Sequence, residues 1–134
     1  MIGLLVVTHG SIGEALVSSA AQILGAAPKQ VATLSVWRQD DPDDLVLRAR
    51  ELLEGLDAGE GVLILADIFG ATPGNVVSRL LEDGKIEAVC GVSLPMLLRV
   101  LTGRNGSMKV LVERALSGGA EGLVHMNTDR CCDA

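Results

Sequence analysis

Residues 61–75 read GVLILADIFGATPGN: six apolar positions, then an aspartate, then a turn carrying two glycines and a proline. The run 61–66 never alternates with polar residues, as expected of a parallel strand covered on both faces. After the turn, Val76, Val77, Leu80 and Leu81 recur at helical spacing until Asp83-Gly84 stops the pattern. Strand, turn and helix in that order form half of a βαβ unit, and the same grammar repeats to either side.

Upstream, residues 2–7 (IGLLVV) form a second continuous aliphatic strand. Ser11 is placed to cap a helix carrying Ile12, Leu16, Ser19, Ala20 and Ile23 and ending at Gly25. Residues 31–36 read as a strand. Residues 40–55 read as a helix, with Pro42 near its first turn and Leu45, Leu52 and Leu53 on one face. Downstream, residues 86–92 read as a fourth strand and Pro95 opens a helical stretch through Leu101. A second helical piece follows over 108–116, and residues 122–126 read as a short fifth strand. Strands separated by helices predict an α/β fold with a mainly parallel sheet and helices on both faces. Right-handed crossovers and one reversal predict the flavodoxin-like, doubly wound order 2-1-3-4. Strands 1 and 3 are then neighbours, and the ligand crevice lies at their carboxyl ends.

The chain of 134 residues predicts one domain over residues 1–127 and a tail over 128–134. With 49% apolar and 21% charged residues it has the composition of a folded chain. Eleven Lys and Arg against 17 Asp and Glu leave a net charge of -6, which argues against duplex nucleic acid and anionic membrane. Phe69 and Trp37 are the only aromatics, too few to stack successive bases of a single strand. No apolar run approaches the roughly 20 residues of a membrane span. The MIGLLVV start lacks a basic segment and reads as a strand, not a signal peptide. Cys90, Cys131 and Cys132 make an odd count without the spacing of a disulfide framework, which predicts a reducing cytoplasm. The adjacent pair Cys131-Cys132 is read as tail.

Two polar residues stand at the predicted crevice. His9 follows the first strand in VTHGS, and Asp67 follows the third in LADIFGATPGN. Each precedes a helix start, whose free N–H groups favour an anion. Gly10 and Gly70 permit tight turns, and Ser11 and Thr72 add hydroxyls. A carboxylate that holds one imidazole nitrogen leaves the other nucleophilic. A histidine held in this way, beside anion-binding amides, suits the acceptance and onward transfer of a phosphoryl group. Taken singly, a histidine at a strand end also serves as a cap, and an aspartate before a turn as an Asx-turn. It is their convergence that points to chemistry. His125 has no such partner and is read as structural.

These stretches, MIGLLVVTHGSIGEAL, LADIFGATPGN and GVSLPML, resemble the enzyme IIA component of the mannose-type phosphotransferase system. The likeness runs from residue 1 to about residue 116 and rests on T-H-G together with D-x-F-G-x-[ST]-P-x-N. It implies a bacterial phosphocarrier in which His9 takes a phosphoryl group from the phosphocarrier protein HPr and passes it to an enzyme IIB. It implies that Asp67 hydrogen-bonds His9; the turn amides and hydroxyls of Gly10, Ser11, Gly70, Ala71 and Thr72 are then expected to receive the phosphoryl oxygens. It also implies a homodimer whose C-terminal strand, here 122–126, is exchanged between subunits. No bound cofactor or metal is expected, Mg²⁺ being needed only by the upstream phosphoenolpyruvate-using enzyme. The chain departs from the family turn G-G-S-P with Gly70-Ala71-Thr72-Pro73, and carries Ser93 where asparagine commonly precedes Leu-Pro. With no linker or IIB domain following, the reading is a lone IIA that serves a separate IIB or acts as a regulatory relay.

Phe69, beside the turn, reads either as core packing or as a docking anchor for partner proteins, and the anchor is the reading adopted. Trp37 and Arg38, followed by Asp40, Asp41, Asp43 and Asp44, border the same edge. That stretch reads either as part of a surface for a basic partner or as an acidic helix start. A receiver domain would need acids after the first strand, where Thr8-His9-Gly10 stands, and no P-loop motif is present. The remaining alternative is a small-molecule or metal-binding regulatory module using His9 and Asp67, although zinc asks for three or four protein ligands.

Overall fold

The computed structural model describes residues 1–128. Its elements run β1 (Gly3–His9), α1 (Ile12–Leu24), β2 (Val31–Val36), α2 (Pro42–Leu56), β3 (Val62–Ala66), α3 (Thr72–Ser78), β4 (Ile86–Cys90), α4 (Leu94–Leu101) and α5 (Met108–Glu121). The four strands form a parallel sheet in the order β2-β1-β3-β4, as the alternation of strands and helices predicts.

The uninterrupted aliphatic runs are explained by burial on both faces. Along β1, Leu5 and Val7 join a core with Leu45, Ala49 and Leu53 of α2 and Val76 and Val77 of α3. Leu4 and Val6 join the opposite core, with Ala20 of α1, Leu97 of α4 and Leu111 of α5. β3 divides in the same way, Ile64 to the first core and Leu63 and Leu65 to the second. The close fit of helix on sheet leaves no room for a side chain at residue 3: a Cβ on Gly3 would stand 2.5 Å from the Leu56 carbonyl oxygen.

Three details differ from the sequence reading. First, Ser11 makes no side-chain cap to α1. The buried Thr8, still within β1, reaches over the turn, and its Oγ1 accepts the Gly13 N–H at 2.8 Å. Second, α3 ends at Ser78, because Arg79 and Leu80 donate to Val76 and Val77 in tighter three-residue turns. Leu80 still reaches the core, but Leu81 is exposed. Third, 122–126 is not a strand in this chain: α5 continues through Glu121, and Gly122 still donates to the Gly118 carbonyl. Leu123, Val124 and Met126 lie exposed. Cys131 and Cys132 lie outside the described residues. Among the described residues, no helix is long and apolar enough to cross a membrane.

The transfer of the capping role from Ser11 to Thr8 is measurable. Thr8→Val keeps the shape but leaves the Gly13 N–H unpaired in a buried site, and should cost about 1–2 kcal/mol in chemical denaturation. Ser11→Ala should stay within about 0.5 kcal/mol of the parent. Equal losses in the two variants would overturn the assignment.

Candidate functional site

The site arises from a mismatch in strand length. The last β1–β3 pair in register is Val7 with Ala66, whereas β1 continues beside β2 through the pair His9 and Val36. On its β3 side the His9 N–H therefore meets no strand carbonyl. Asp67, the first residue beyond β3, accepts it through Oδ2 at 2.9 Å. The same oxygen lies 2.9 Å from Nδ1 of the His9 ring. Asp67 Oδ1 accepts the Ile68 N–H at 2.9 Å, so both carboxylate oxygens are engaged.

Electrostatics then decide which ring nitrogen is free. Partial burial pushes the Asp67 carboxyl up, but the His9 N–H, the His9 ring and its charge, and the Ile68 N–H together outweigh it. The net effect holds Asp67 below the ordinary carboxylate range, so at neutral pH it accepts hydrogen bonds and donates none. The proton between the two groups accordingly sits on Nδ1, and Nε2 is the ring nitrogen that the carboxylate leaves free. The imidazole is half exposed while the carboxylate is only 13% exposed, so the carboxylate is sheltered and the ring faces outward. Cys90, at the tip of β4, has its thiol pushed up by burial and then by the charge of Asp67, which favours the protonated thiol.

The other expected residues lie on the two connections that leave these strand tips. Gly10 turns the chain out of β1 with φ +49° and donates its N–H to the Val36 carbonyl at 2.9 Å. Ser11 is exposed at the start of α1, its hydroxyl free of capping duty. Gly70 adopts φ +87°, after which Ala71 and Thr72 lead into α3, with Pro73 in its first turn. The turn folds back tightly, since a Cβ on Gly74 would stand 2.9 Å from the Ile68 carbonyl oxygen. Phe69 is 86% exposed at its crest, which excludes a core-packing role. Ile12 and Ile68 are also exposed close by in sequence.

Trp37 is placed more informatively than its sequence position indicated. A Cβ on Gly10 would stand 3.2 Å from Cζ3 of its indole, so the ring lies directly against the turn that follows His9. The strand order already held that signal, because the tip of β2 adjoins the tip of β1. The acids behind Trp37 have local work: Asp40 accepts the Trp37 N–H at 2.8 Å, and Asp41 caps α2 through the Asp43 N–H at 3.0 Å. His125 lies in the exposed segment after α5, away from any such cluster. An open concavity of about 640 Å³ bounded by Glu54, Asp57 and Lys85 lies at the amino ends of β3 and β4, across the sheet from His9. Among the described residues, no group of three or more His, Cys, Asp or Glu is placed to hold a metal ion.

The family model described as PTS system fructose IIA component matches residues 3–116. The mannose-specific EIIAB component of Escherichia coli (strain K12) is 32% identical over 125 residues, covering 91% of this chain and 38% of that protein. This chain thus spans well under half the length of that relative. The fructose-specific EIIA component of Bacillus subtilis (strain 168) is 31% identical over 103 residues, 76% of this chain and 70% of that protein. The crystal structure of a phosphotransferase system EIIA from Streptococcus agalactiae superposes with a TM-score of 0.85 at 26% identity, covering 96% of this chain and 99% of the other. The chain belongs to the family of phosphotransferase-system IIA components.

Proposed function

We propose that the protein is a phosphocarrier in which Nε2 of His9 accepts a phosphoryl group from phospho-HPr and delivers it to an enzyme IIB. The observation that carries this reading is the single Asp67 oxygen holding both the His9 N–H and Nδ1 while the ring stands half exposed. In the first transfer, the Nε2 lone pair forms the new N–P bond as the donor's N–P bond breaks and the donor imidazole leaves with the electron pair. The positive charge that develops on the His9 ring is stabilised by the Asp67 carboxylate through Nδ1–H. The second transfer reverses these events toward the IIB acceptor. Gly10, Ser11, Gly70, Ala71 and Thr72 receive the phosphoryl oxygens through turn amides and hydroxyls, a role supported by their positions at the starts of α1 and α3.

Phe69 serves as the docking anchor, as its exposure beside the site supports. The exposed Leu123, Val124 and Met126, together with the edge position of β4, support a homodimer in which residues 122–126 pair outside their own subunit. The setting is the cytoplasm, with membrane association only through partner proteins. Whether the IIB acceptor serves sugar uptake or a regulatory relay, the chemistry at His9 is the same.

Intact-mass spectrometry after incubation with phosphoenolpyruvate, enzyme I and HPr tests the assignment. The wild type should gain one acid-labile phosphoryl group and His9→Ala none, while remaining folded. Asp67→Ala should accept more slowly, by on the order of 10- to 100-fold, as other imidazoles do on losing an orienting carboxylate. Phe69→Ala should raise the donor concentration needed for half-maximal rate by about 5-fold or more. Phosphorylation of His9→Ala at the wild-type level would sink the reading.

The lowered pKa of Asp67 also fixes the sign of a pH effect. Folding favours its ionised form, so its stabilisation is complete above the ordinary value of 3.8 and is lost as pH falls through the folded-state value. The stability gap between wild type and Asp67→Asn should be constant near neutrality and narrow as pH drops through about 4. A gap that widens on acidification contradicts the assigned charge state. For the dimer, light scattering should give twice the chain mass for wild type and a single chain mass for a Leu123→Asp, Val124→Asp variant. A wild-type monomer at micromolar concentration would refute the exchange.

A further inference from the structure

We propose that Trp37 is a positioning residue for His9, its indole bracing the turn at Gly10 so that Nε2 keeps one direction; this rests on the phosphocarrier reading of His9. The turn needs such a brace. Gly10 sits in the left-handed region at φ +49°, where a glycine passes readily to other conformations. On the β3 side the His9 backbone is held by Asp67. On the β2 side the Gly10 N–H reaches the Val36 carbonyl at 2.9 Å. The indole of Trp37 closes the remaining side: a Cβ on Gly10 would stand 3.2 Å from Cζ3 and 3.4 Å from Cη2.

The brace is itself anchored. The Trp37 N–H donates to Asp40 Oδ2 at 2.8 Å, and the Asp40 N–H donates to the Trp37 carbonyl at 3.0 Å. The ring therefore projects from a locked turn and not from a loose connection. Its placement is not that of a core residue. Trp37 lies beyond the end of β2, is half exposed, and spends its contact on the glycine that follows the nucleophile. It is the only tryptophan in the chain. Without the ring, the peptide between His9 and Gly10 gains freedom to rotate, and the imidazole direction broadens with it. Misplacement of a reacting group by about 1 Å is enough to cost on the order of 100-fold in rate.

The test separates positioning from docking by using a donor with no protein surface. Phosphoramidate phosphorylates a free imidazole nitrogen directly: the Nε2–P bond forms as its P–N bond breaks, and ammonia leaves. Wild type, Trp37→Ala and Trp37→Phe are compared for the maximal rate and half-saturating concentration with phosphoramidate and with phospho-HPr. Circular dichroism checks folding, and ¹⁵N NMR reads the His9 tautomer of each unphosphorylated protein. Trp37→Ala should lose about tenfold in maximal rate with both donors at little change in half-saturation. Trp37→Phe should recover most of it, since a phenyl ring also covers Gly10. The His9 resonances should pass from a single Nδ1–H tautomer to a mixture in Trp37→Ala alone. Rate loss confined to phospho-HPr, with raised half-saturation, would make Trp37 a docking residue and overturn the proposal. An unchanged rate and tautomer in Trp37→Ala would overturn it as well. Should wild type accept no phosphoryl group from either donor, the phosphocarrier reading fails, and the tautomer comparison alone decides whether the indole orients His9.

Discussion

One carboxylate oxygen organises the carboxyl end of the sheet. Asp67 Oδ2 accepts both the backbone N–H and the ring Nδ1 of His9, tying the tip of β3 to the tip of β1. The bond exists because β1 outruns β3 and leaves the His9 N–H without a strand partner. A shortfall in the sheet ladder thereby becomes the orienting device of the imidazole. The hydrogen bonds that hold the carboxylate outweigh the burial that opposes its charge, so it stays ionised and fixes which ring nitrogen bears the proton.

The rest of the fold supplies rigidity and access. The two aliphatic strands at the centre are packed on both faces, so the tips that carry His9 and Asp67 project from strands whose aliphatic side chains are fully buried. The connections that leave those tips start helices α1 and α3, and their turns require the left-handed glycines Gly10 and Gly70. Exposed Phe69, Ile68, Ile12 and Trp37 are strung along these connections and the end of β2. The arrangement favours transfer across a protein surface over capture of a small molecule in an enclosed pocket.

Much of this was legible in the chain itself. Continuous aliphatic runs at 2–7 and 61–66 signalled strands buried on both faces, and handedness rules then placed β1 beside β3. That placement alone brought His9 and Asp67 together. What escaped detection depended on distances along the chain that no periodicity encodes. Ser11 stood where a cap belongs, yet Thr8 does the capping, because β1 runs on past its aliphatic stretch and lifts the Thr8 hydroxyl over the helix start. Residues 122–126 have strand-like composition, but α5 carries the chain on past residue 116 through Glu121, and the residues after it pair with no strand. The local role of the acids after Trp37 was visible as a helix start, whereas its indole against Gly10 required the register of β1 on β2.

Asp67 holds one imidazole nitrogen of His9, and the proposed phosphoryl transfer uses the other. Phosphorus–nitrogen coupling in the ¹⁵N-labelled, phosphorylated protein tests it most directly. The expected result is a phosphoryl group on Nε2 of His9, with Nδ1 still hydrogen-bonded to Asp67. A phosphoryl group on Nδ1, or on any other residue, would contradict it.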